Sequence, residues 1–526
     1  MAYLFVRVLL IAGALLFGIS PSAVAVFVSI DCGSSESFVD ENNIRWVGDD
    51  TYIKTGESHT VRNPDSVSKR EYRTLRVFTG KKNCYSIDVP KGERVLIRAK
   101  FHYGNYDGRL SPPIFDLQFD GNKWDTVEIE ADEWVYYERM YVTKLDQVSI
   151  CVAMTKPGQL PFISAIEVRS LDFGMYGYLD PNYFYYSDRT NYGDSTRIRF
   201  PGDPFDRYWE GELGESLLPI SVGSETRILD TGLLEKPPQS VLRTAAAPRK
   251  SSQIVLLNYT YSTELYINTY FTELSQLNSS QKRSFTVYMN DESISNPIIP
   301  PYQSALKISF NISFNSSSTV LSLVPTRDST LPPIINAMEV FEKDAELTDG
   351  TYYTDVKALA LLQRAYYKLQ EWRGDPCLPE SFNWDWVECS NDAMPRITKL
   401  HLGNIGLEGP LPDFSAMDAL QEIDLSNNKL SGEIPDFLGN FPHLTLLNLT
   451  NNKFRGSIPS SLGGNNRIKL YTSGNPDLCE LGNSCSSLQN DNSSPTPNPS
   501  RVQGMKTEKL PIILGIIFPI FFFVHA

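Results

Sequence analysis

Trp372-Arg373-Gly374-Asp375-Pro376-Cys377 divides the chain into two parts whose apolar residues follow different periods. Before this stretch, aromatic and β-branched residues alternate with polar ones; after it, leucines recur at a fixed interval. Just ahead of it, residues 355–371 place apolar side chains along one helical face, and Thr354 or Asp355 is suited to cap the first turn. We expect this helix to end at Gly374 and to pack on the part that follows.

The region before this stretch predicts β-sandwich folding. Runs at 95–99, 115–119 and 285–289 alternate apolar with polar residues, and Gly, Pro, Asn and Asp separate such runs. This pattern is typical of two antiparallel sheets packed face to face. Because about three hundred residues exceed a single sandwich, we predict two lobes, 26–190 and 191–343.

The region after the stretch repeats. Leu400-His401-Leu402, Ile423-Asp424-Leu425 and Leu447-Asn448-Leu449 recur at intervals of about 23–24 residues, and Gly and Pro follow each of them. This is the period of a leucine-rich repeat, so we predict three repeats. Asn428 and Asn452 are expected in the inner turn, bonding backbone groups of neighbouring coils.

Three repeats are close to the minimum for a stable stack, so both ends need caps. We assign residues 344–395 to a hinge and an N-terminal cap, and 396–485 to the repeats with a C-terminal cap.

The first residues predict export. Arg7 precedes an apolar run at 8–19, and small residues at 23–25 offer a cleavage site, so we predict a signal peptide over 1–25. A membrane anchor at this end is the alternative, although the run is short for a span. The expected destination is the outer face of the plasma membrane, reached through the secretory pathway.

The last residues predict membrane attachment. Residues 486–509 are rich in Ser, Asn and Pro and are expected to form a disordered stalk. Residues 510–526 are apolar apart from His525, and lysines lie only on their N-terminal side. This pattern suits a GPI signal; a short transmembrane anchor is the alternative.

Exported proteins fold in an oxidising compartment, so the seven cysteines are candidates for disulfide bonds. Cys377 with Cys389, and Cys479 with Cys485, are natural local pairs. The other three form an odd set, so one thiol is free or pairs with another molecule: Cys32, Cys84 and Cys151. Asn-x-Ser/Thr triplets predict glycosylation at Asn258, Asn278, Asn311, Asn315, Asn448 and Asn492.

The sequence contains no pattern that indicates a catalytic site, a cofactor site or nucleic-acid binding. The net charge is −14, and no segment concentrates Lys and Arg, which argues against nucleic acid. The five histidines are not spaced as metal pairs, and a phosphate-binding loop and a kinase signature are missing. An acidic run is expected to be solvated rather than a glycosidase pair: Glu128, Glu130, Asp132 and Glu133. We therefore predict no enzyme, no cofactor and no metal.

Several motifs occur in an order known from one family. Residues 29–33, 74–78, 103–108, 203–209 and 332–339, with the Gly374-Asp375-Pro376-Cys377 tetrapeptide, resemble plant receptor kinases with a malectin-like ectodomain and leucine-rich repeats, of the symbiosis receptor kinase type. The resemblance implies a mainly β fold class: tandem malectin-like β-sandwich lobes followed by a short leucine-rich-repeat solenoid. Because a kinase signature is missing, a signal would pass through a partner.

Two surfaces are candidates for ligand binding. In the first lobe, Tyr103, Tyr106 and Trp134 cluster with Asp107, and aromatic faces with carboxylates suit carbohydrate recognition; core packing is the alternative. On the repeats, three equivalent positions should stack as a ladder on the concave face: His401, Asp424 and Asn448. The alternative is that this face is solvated and binds no ligand.

These features together predict a cell-surface receptor-like protein or co-receptor. It would bind a cell-wall carbohydrate or a secreted peptide and act through partner receptor kinases, with membrane attachment at its C-terminal end. The alternative is an extracellular, wall-associated structural lectin without a signalling role.

Overall fold

The computed structural model describes residues 25–249, 253–259, 263–314 and 319–479, and this part of the chain is mainly β, as predicted. The strands of the first lobe are β1 (Phe27–Asp31), β2 (Phe38–Val39), β3 (Arg45–Gly48), β4 (Glu57–Thr60), β5 (Thr74–Val77), β6 (Lys82–Asp88), β7 (Arg94–His102), β8 (Phe115–Phe119), β9 (Asn122–Val127), β10 (Trp134–Val142), β11 (Gln147–Ala153), β12 (Phe162–Ile163) and β13 (Ala165–Ser170). Single 3₁₀ turns occupy Pro64–Ser66 and Arg70–Tyr72.

The first lobe is a β-sandwich. One layer has the order β2-β3-β1-β13-β7-β10, the opposite layer has the order β6-β11-β8-β9, and a smaller sheet has the order β12-β5-β4. Side chains from all three sheets form one apolar core, for example Ile97 of β7, Leu117 of β8 and Leu75 of β5. In β7 and β8 both faces are buried, so the alternation read from the sequence separates the face in the apolar core from a second face that other parts of the chain cover.

The second lobe repeats this architecture. Its elements are β14 (Tyr183–Tyr192), β15 (Glu210–Glu212), β16 (Leu217–Ser221), α1 (Gln239–Leu242), β17 (Thr244–Pro248), β18 (Ile254–Tyr259), β19 (Thr263–Phe271), β20 (Phe285–Met289), β21 (Glu292–Ser293), β22 (Leu306–Phe314), β23 (Thr319–Pro325) and β24 (Ala337–Glu346). The layers are β14-β24-β19-β22 and β18-β23-β20-β21, and their apolar faces share a core.

The two lobes meet within one sheet. β10 and β14 are neighbours in it, but their ladder contains the single residue pair Met140 and Tyr185. The predicted lobe boundary at 190/191 falls inside β14 and stays a prediction.

The hinge helix is shorter than predicted. α2 covers Tyr353–Ala365, Tyr366 is extended, and a 3₁₀ turn follows at Tyr367–Leu369. The prediction that Gly374 ends the helix is therefore wrong. A side-chain cap from Thr354 or Asp355 is also wrong, because the Asp355 carboxylate instead accepts hydrogen bonds from the Arg396 side chain and the Ile397 N–H.

The repeat region is a small solenoid. Its strands are β25 (Val387–Cys389), β26 (Ile397–His401), β27 (Glu408–Gly409), β28 (Glu422–Asp424), β29 (Lys429–Glu433), β30 (Leu446–Asn448), β31 (Lys453–Ser457), β32 (Lys469–Tyr471) and β33 (Asp477–Cys479), with α3 at Ser460–Gly463 and 3₁₀ turns at Glu380–Phe382 and Asp436–Gly439. One sheet runs β25-β26-β28-β30-β32 and the other β27-β29-β31-β33. Four parallel strands stack where three repeats were predicted, because β32 adds a coil.

The predicted asparagine turns join the coils. Asn452 accepts a hydrogen bond from the Leu430 N–H and donates one to the Leu425 carbonyl, at 3.0 and 2.9 Å, and Asn428 makes the same kind of contact one coil earlier. Asn475 does so one coil later, which the prediction missed. Each asparagine satisfies backbone groups that would otherwise be buried without partners.

The cysteines divide as follows. Disulfides join Cys377 to Cys389 and Cys84 to Cys151, whereas Cys32 is a buried free thiol. The sequence did not decide which of Cys32, Cys84 and Cys151 lacks a disulfide partner within the chain, and the structure shows that it is Cys32. Cys479 is also disulfide-bonded, and its predicted partner Cys485 lies outside the described residues.

Several predictions fall outside the described residues: the signal peptide up to residue 24, the stalk at 486–509, the tail at 510–526, Asn315, Asn492 and the side chain of Asn258. Asn278 and Asn311 are exposed and Asn448 is half-buried; their glycosylation stays a prediction. Among the described residues, none of the helices combines the length and apolar character that a membrane span requires.

Candidate ligand-binding surfaces

A cleft of about 410 Å³ opens on the first lobe, and we call it the first-lobe cleft. It lies between the loop around 61–69 and the ends of β7 and β10. Its lining is Val61, Arg62, Asn63, Ser66, Val67, Ser68, Lys69, Tyr72, His102, Gly104, Asn105, Asp132 and Trp134. Polar groups of loops and an aromatic side chain thus meet in one concave surface, the general character of a small-molecule site.

Trp134 is the aromatic side chain of this cleft that is exposed, whereas Tyr72 and His102 are buried. It begins β10 and is 43% exposed, its ring centroid lies 5.2 Å from that of Tyr72, and the Lys69 Nζ lies 5.4 Å from its ring centroid. The register of β10 with β7 places it opposite His102. Packing against Tyr72 therefore holds the indole at the cleft while leaving part of it accessible.

The charges of the first-lobe cleft favour a ligand with acidic or hydroxyl groups. Arg62 and Lys69 contribute two cations, and Asp132 contributes one carboxylate. Burial, reinforced by Lys100, lowers the pKa of Lys69. The carboxylate of an incoming ligand would compensate this cost of burial.

The other first-lobe candidates lie outside the lining of this cleft. Tyr103 is fully buried in the lobe core and donates a hydrogen bond to Asp107, and burial together with Asp107 raises its pKa to about 12. Tyr106 is half-buried, with ring centroids of His59 and Phe162 5.0 and 6.5 Å away. The prediction of Tyr103 as a ligand contact is therefore wrong, because core packing takes up its ring.

The repeat candidates form the predicted row. His401, Asp424 and Asn448 are in register on neighbouring parallel strands, and Tyr471 continues the row on β32. We call these four residues the repeat ladder. They are half-buried or exposed, so the ladder is an accessible polar face. Tyr471 could have been found from its spacing after Asn448.

The cap contributes one residue that the prediction missed. Glu388 of β25 lies 2.8 Å from the His401 Nε2 and 3.0 Å from the Lys399 Nζ. Hydrogen bonds from Lys399 and His401 lower its pKa. One end of the repeat ladder is thus an ion-pair cluster and the other end is an aromatic residue.

The hinge motif fastens the repeat cap to the first lobe. The Asp375 carboxylate accepts hydrogen bonds from the Thr351 N–H and from the N–H groups of Cys377 and Leu378, at 2.8 to 2.9 Å. Gly374 has a φ of +75°, and a Cβ there would lie 2.6 Å from the Cys84 Sγ. The glycine therefore lets the hinge lie directly on the first-lobe disulfide.

A buried ion network joins the lobes. In the described part of the chain it links six cations and six carboxylates: Arg98, Lys100, Arg169, Arg189, Arg199 and Arg207, and Glu71, Glu138, Glu167, Asp203, Asp206 and Glu339. Because the charges balance, each ion is compensated despite its burial. Burial alone would raise the pKa of Glu167, but Lys100 and the arginines around it hold that pKa well below its usual range.

The sequence contained a signal for this network that the prediction did not use. Arg98 and Lys100 alternate within β7, and Glu167 and Arg169 alternate within β13, although both strands are otherwise largely apolar. Charges on a strand face that other parts of the chain bury need partners of opposite sign. Within the described residues, no group of three or more His, Cys, Asp and Glu side chains is placed to hold a metal ion.

Comparison with protein families shows two matches. The malectin-like domain family matches residues 30–343, and the leucine-rich repeat family matches 419–441 and 443–465. The first match covers more than half of the chain. It precedes the repeats along the chain, as in the family that the motifs resemble.

Two curated relatives from Arabidopsis thaliana show how far the likeness extends. Uncharacterized protein At1g24485 is 36% identical over 343 residues, which are 63% of this chain and 67% of that protein. Probable LRR receptor-like serine/threonine-protein kinase At1g07550 is 33% identical over 410 residues, 73% of this chain and 46% of that kinase. The chain thus spans about half the length of the kinase relatives it matches.

Solved structures share the fold. The ANX2 ectodomain from Arabidopsis thaliana has a TM-score of 0.52 at 19% identity, covering 61% of this chain and 97% of that one. The plant receptor-like kinase FER has a TM-score of 0.53 at 18% identity, covering 61% and 96%. A structure of plant peptide RALF23 in complex with FER and LLG2 matches with a TM-score of 0.50 at 17% identity, covering 62% and 96%.

Proposed function

The chain belongs to the malectin-like family, and on this premise we propose that it is a receptor-like protein of the outer face of the plasma membrane. In this proposal residues 1–25 direct export, 510–526 serve as a GPI signal or short transmembrane anchor, and the two lobes and the solenoid recognise an extracellular ligand. The signal passes to a partner receptor kinase. The similarity of this chain to a receptor-like kinase over 73% of its length supports the receptor-like role.

The ligand that we propose for the first-lobe cleft is a cell-wall carbohydrate with acidic groups. The observation that carries this proposal is the pairing of Trp134 with Lys69 at one concave surface. An indole face packs against the C–H face of a sugar ring, and a nearby ammonium group pairs with a uronate carboxylate. Hydroxyl and amide groups of Ser66, Ser68 and Asn105 can bond sugar hydroxyls.

The test is calorimetric titration of the purified chain with an oligogalacturonide and with a cello-oligosaccharide of equal length. We expect the acidic oligosaccharide to bind more tightly. Trp134→Ala should weaken its binding about tenfold or more, since truncating a central aromatic contact costs about 1.4 kcal/mol or more. Tyr367→Ala is the matched control, because Tyr367 is 73% exposed and lies in the hinge, away from the cleft.

Equal affinities for both oligosaccharides, or equal losses in the two variants, would contradict the carbohydrate assignment. The receptor-like role has a separate test, which is proximity labelling at the cell surface. We expect receptor kinases among the labelled neighbours. Carbohydrate binding without kinase neighbours would favour the wall-associated lectin.

A secreted peptide is the second candidate ligand. The structural neighbour FER is found with the peptide RALF23 and with LLG2, and we propose by analogy that this chain takes a peptide and a co-receptor. The surface that we propose for them is the repeat ladder, because it is an accessible polar row. Substituting Asp424→Ala and Tyr471→Ala together should then abolish cross-linking to the partner while carbohydrate binding at Trp134 persists. Cross-linking that survives the double substitution would place the peptide elsewhere.

A further inference from the structure

The seam between the lobes contains a second cleft. β10 and β14 pair only at Met140 and Tyr185 and then separate. Had the antiparallel ladder continued, Glu138 would face Ser187 and Tyr136 would face Arg189. The gap between these strands is a cleft of about 280 Å³, which we call the seam cleft.

The seam cleft combines aromatic rings with charges of both signs. It is lined by Tyr136, Tyr186 and Tyr208, by Glu138, Asp188 and Glu210, and by Ser187 and Arg189. Its floor is part of the buried ion network, and its mouth is open because Tyr186 is 45% exposed and Asp188 is also exposed.

The floor of the cleft has unused hydrogen-bonding capacity. Arg189 is buried, its Nη1 donates to Glu138 at 2.8 Å, and its Nη2 has no hydrogen-bond partner. An unpaired buried guanidinium nitrogen is costly, and an oxygen acceptor from a ligand would remove that cost. At the mouth, the Asp188 side chain is exposed, and its carboxylate can accept hydrogen bonds from a ligand.

We propose that the seam cleft binds one neutral sugar residue. An anionic ligand would meet the carboxylates of Glu138, Asp188 and Glu210, and a cationic ligand would meet Arg189. Hydroxyl groups avoid both conflicts, because each can donate to a carboxylate and accept from a guanidinium. The volume is below that of most drug-sized ligand sites, which suits a single ring.

The aromatic side chains complete the fit. Tyr186 offers an accessible ring on one strand. On the other side, Tyr136 and Tyr208 pack edge to face with centroids 5.2 Å apart, and the Tyr136 hydroxyl lies 3.3 Å from Glu210. A sugar held between these walls touches β10 and β14 together, so its binding would stabilise one arrangement of the two lobes.

The site is separate from the first-lobe cleft and does not depend on the function proposed for it. Among these residues, Tyr136 lies on β10 of the first lobe, but its partners Tyr186 and Tyr208 lie beyond that lobe.

The experiment measures binding of methyl glycosides of glucose, galactose, mannose and xylose to the purified full chain by saturation-transfer NMR. Glucuronate and glucosamine, which keep the ring and add one charge of either sign, serve as charged probes. We expect saturable binding of at least one neutral glycoside, about tenfold or more tighter than that of both charged probes, since burying one unpaired charge costs more than 1.4 kcal/mol.

Three variants test the location. Tyr186→Ala and Asp188→Asn should each weaken neutral-sugar binding severalfold, and both side chains are exposed, so the folded state should be unaffected in thermal unfolding. Tyr302→Ala is the matched control, since Tyr302 is 50% exposed and lies outside the cleft lining. Trp134→Ala should leave this binding unchanged, which separates the site from the first-lobe cleft.

The proposal is overturned if none of the neutral glycosides saturates, or if a charged probe binds most tightly. It is also overturned if Tyr186→Ala and Tyr302→Ala bind equally well.

Discussion

Lys82 of the first lobe donates a hydrogen bond of 2.7 Å to the main-chain carbonyl of Asp375, which lies 293 residues later in the hinge. The same ammonium group donates to the Leu378 carbonyl at 3.0 Å. Burial lowers the pKa of Lys82 to about 8, although Asp375 opposes this shift. One side chain therefore ties the β-sandwich to the cap of the repeats.

The first prediction concerns this contact. Lys82→Met keeps the length of the side chain but leaves two partly buried carbonyl groups without a donor, so we expect a loss of about 1–3 kcal/mol of unfolding free energy. The hinge should also become more accessible, and limited proteolysis should cut it faster. Lys81→Met is the control, because Lys81 is exposed. Equal cleavage rates in both variants would show that the contact does not hold the hinge.

The second prediction separates backbone strain from close packing. Gly374 and Gly406 both have positive φ, +75° and +83°, but a Cβ at Gly374 would lie 2.6 Å from the Cys84 Sγ, whereas a Cβ at Gly406 has open space. Both Gly→Ala variants carry strain of about 1–2 kcal/mol. Gly374→Ala should lose about 1–3 kcal/mol more, because the hinge must move off the disulfide.

Denaturant unfolding of the two variants measures this difference. If Gly406→Ala is as destabilised as Gly374→Ala, close packing on the disulfide contributes nothing.

The third prediction concerns the buried ion network. Glu167→Gln removes a carboxylate within 3.4 Å of Lys100 and 2.7 Å of Arg199, so it leaves buried cations short of a partner. We expect destabilisation of about 3–5 kcal/mol. The control is Glu36→Gln, which breaks the exposed pair with Arg70 and should change stability by no more than about 1 kcal/mol. Similar unfolding midpoints for both variants would contradict the role of the network.

The fourth prediction concerns pH. Burial raises the pKa of Asp31 to about 7 and that of Asp120 to about 6. Between about pH 4, where unfolded aspartates titrate, and pH 7, the native protein therefore holds protons that the unfolded chain has lost. Stability should fall as the pH rises through this window, so the thermal midpoint should be higher at pH 5 than at pH 8.

Asp31→Asn should flatten this dependence, and the exposed Asp65→Asn should not. Below pH 4.5 the trend should reverse. Burial alone would raise the pKa of Glu167 and of Glu138, but the neighbouring cations lower both, so their stabilisation is lost as acid protonates them. A midpoint that rises steadily from pH 5 to pH 8 in the native protein and in Asp31→Asn would refute this account.

Sequence patterns predicted the repeats well and the hinge helix only in part. The positions of Asn428 and Asn452 follow from a period, and each contact lies within one coil of its residue, so counting residues was sufficient. The end of the helix depends on Tyr366, whose hydroxyl donates to the Pro410 carbonyl. A contact 44 residues away is not visible in a local pattern.

The candidate sites show the same division. Trp134 was identified from its neighbours in sequence, and it does line a cleft. Tyr103, identified by the same reasoning, is in the core, because aromatic residues that are close in sequence do not reveal which of them the packed sheets cover.

By itself, the amino-acid sequence determined the fold class, the order of the lobes and repeats, the inner-turn asparagines and the Cys377 and Cys389 pair. Each of these follows from local periods or short spacings, because neighbouring residues must share one element. Only the tertiary structure decided the two clefts, the ion network, the contact of Gly374 with the first-lobe disulfide and the burial of Tyr103. These depend on which distant strands meet, and the packing of whole layers settles that.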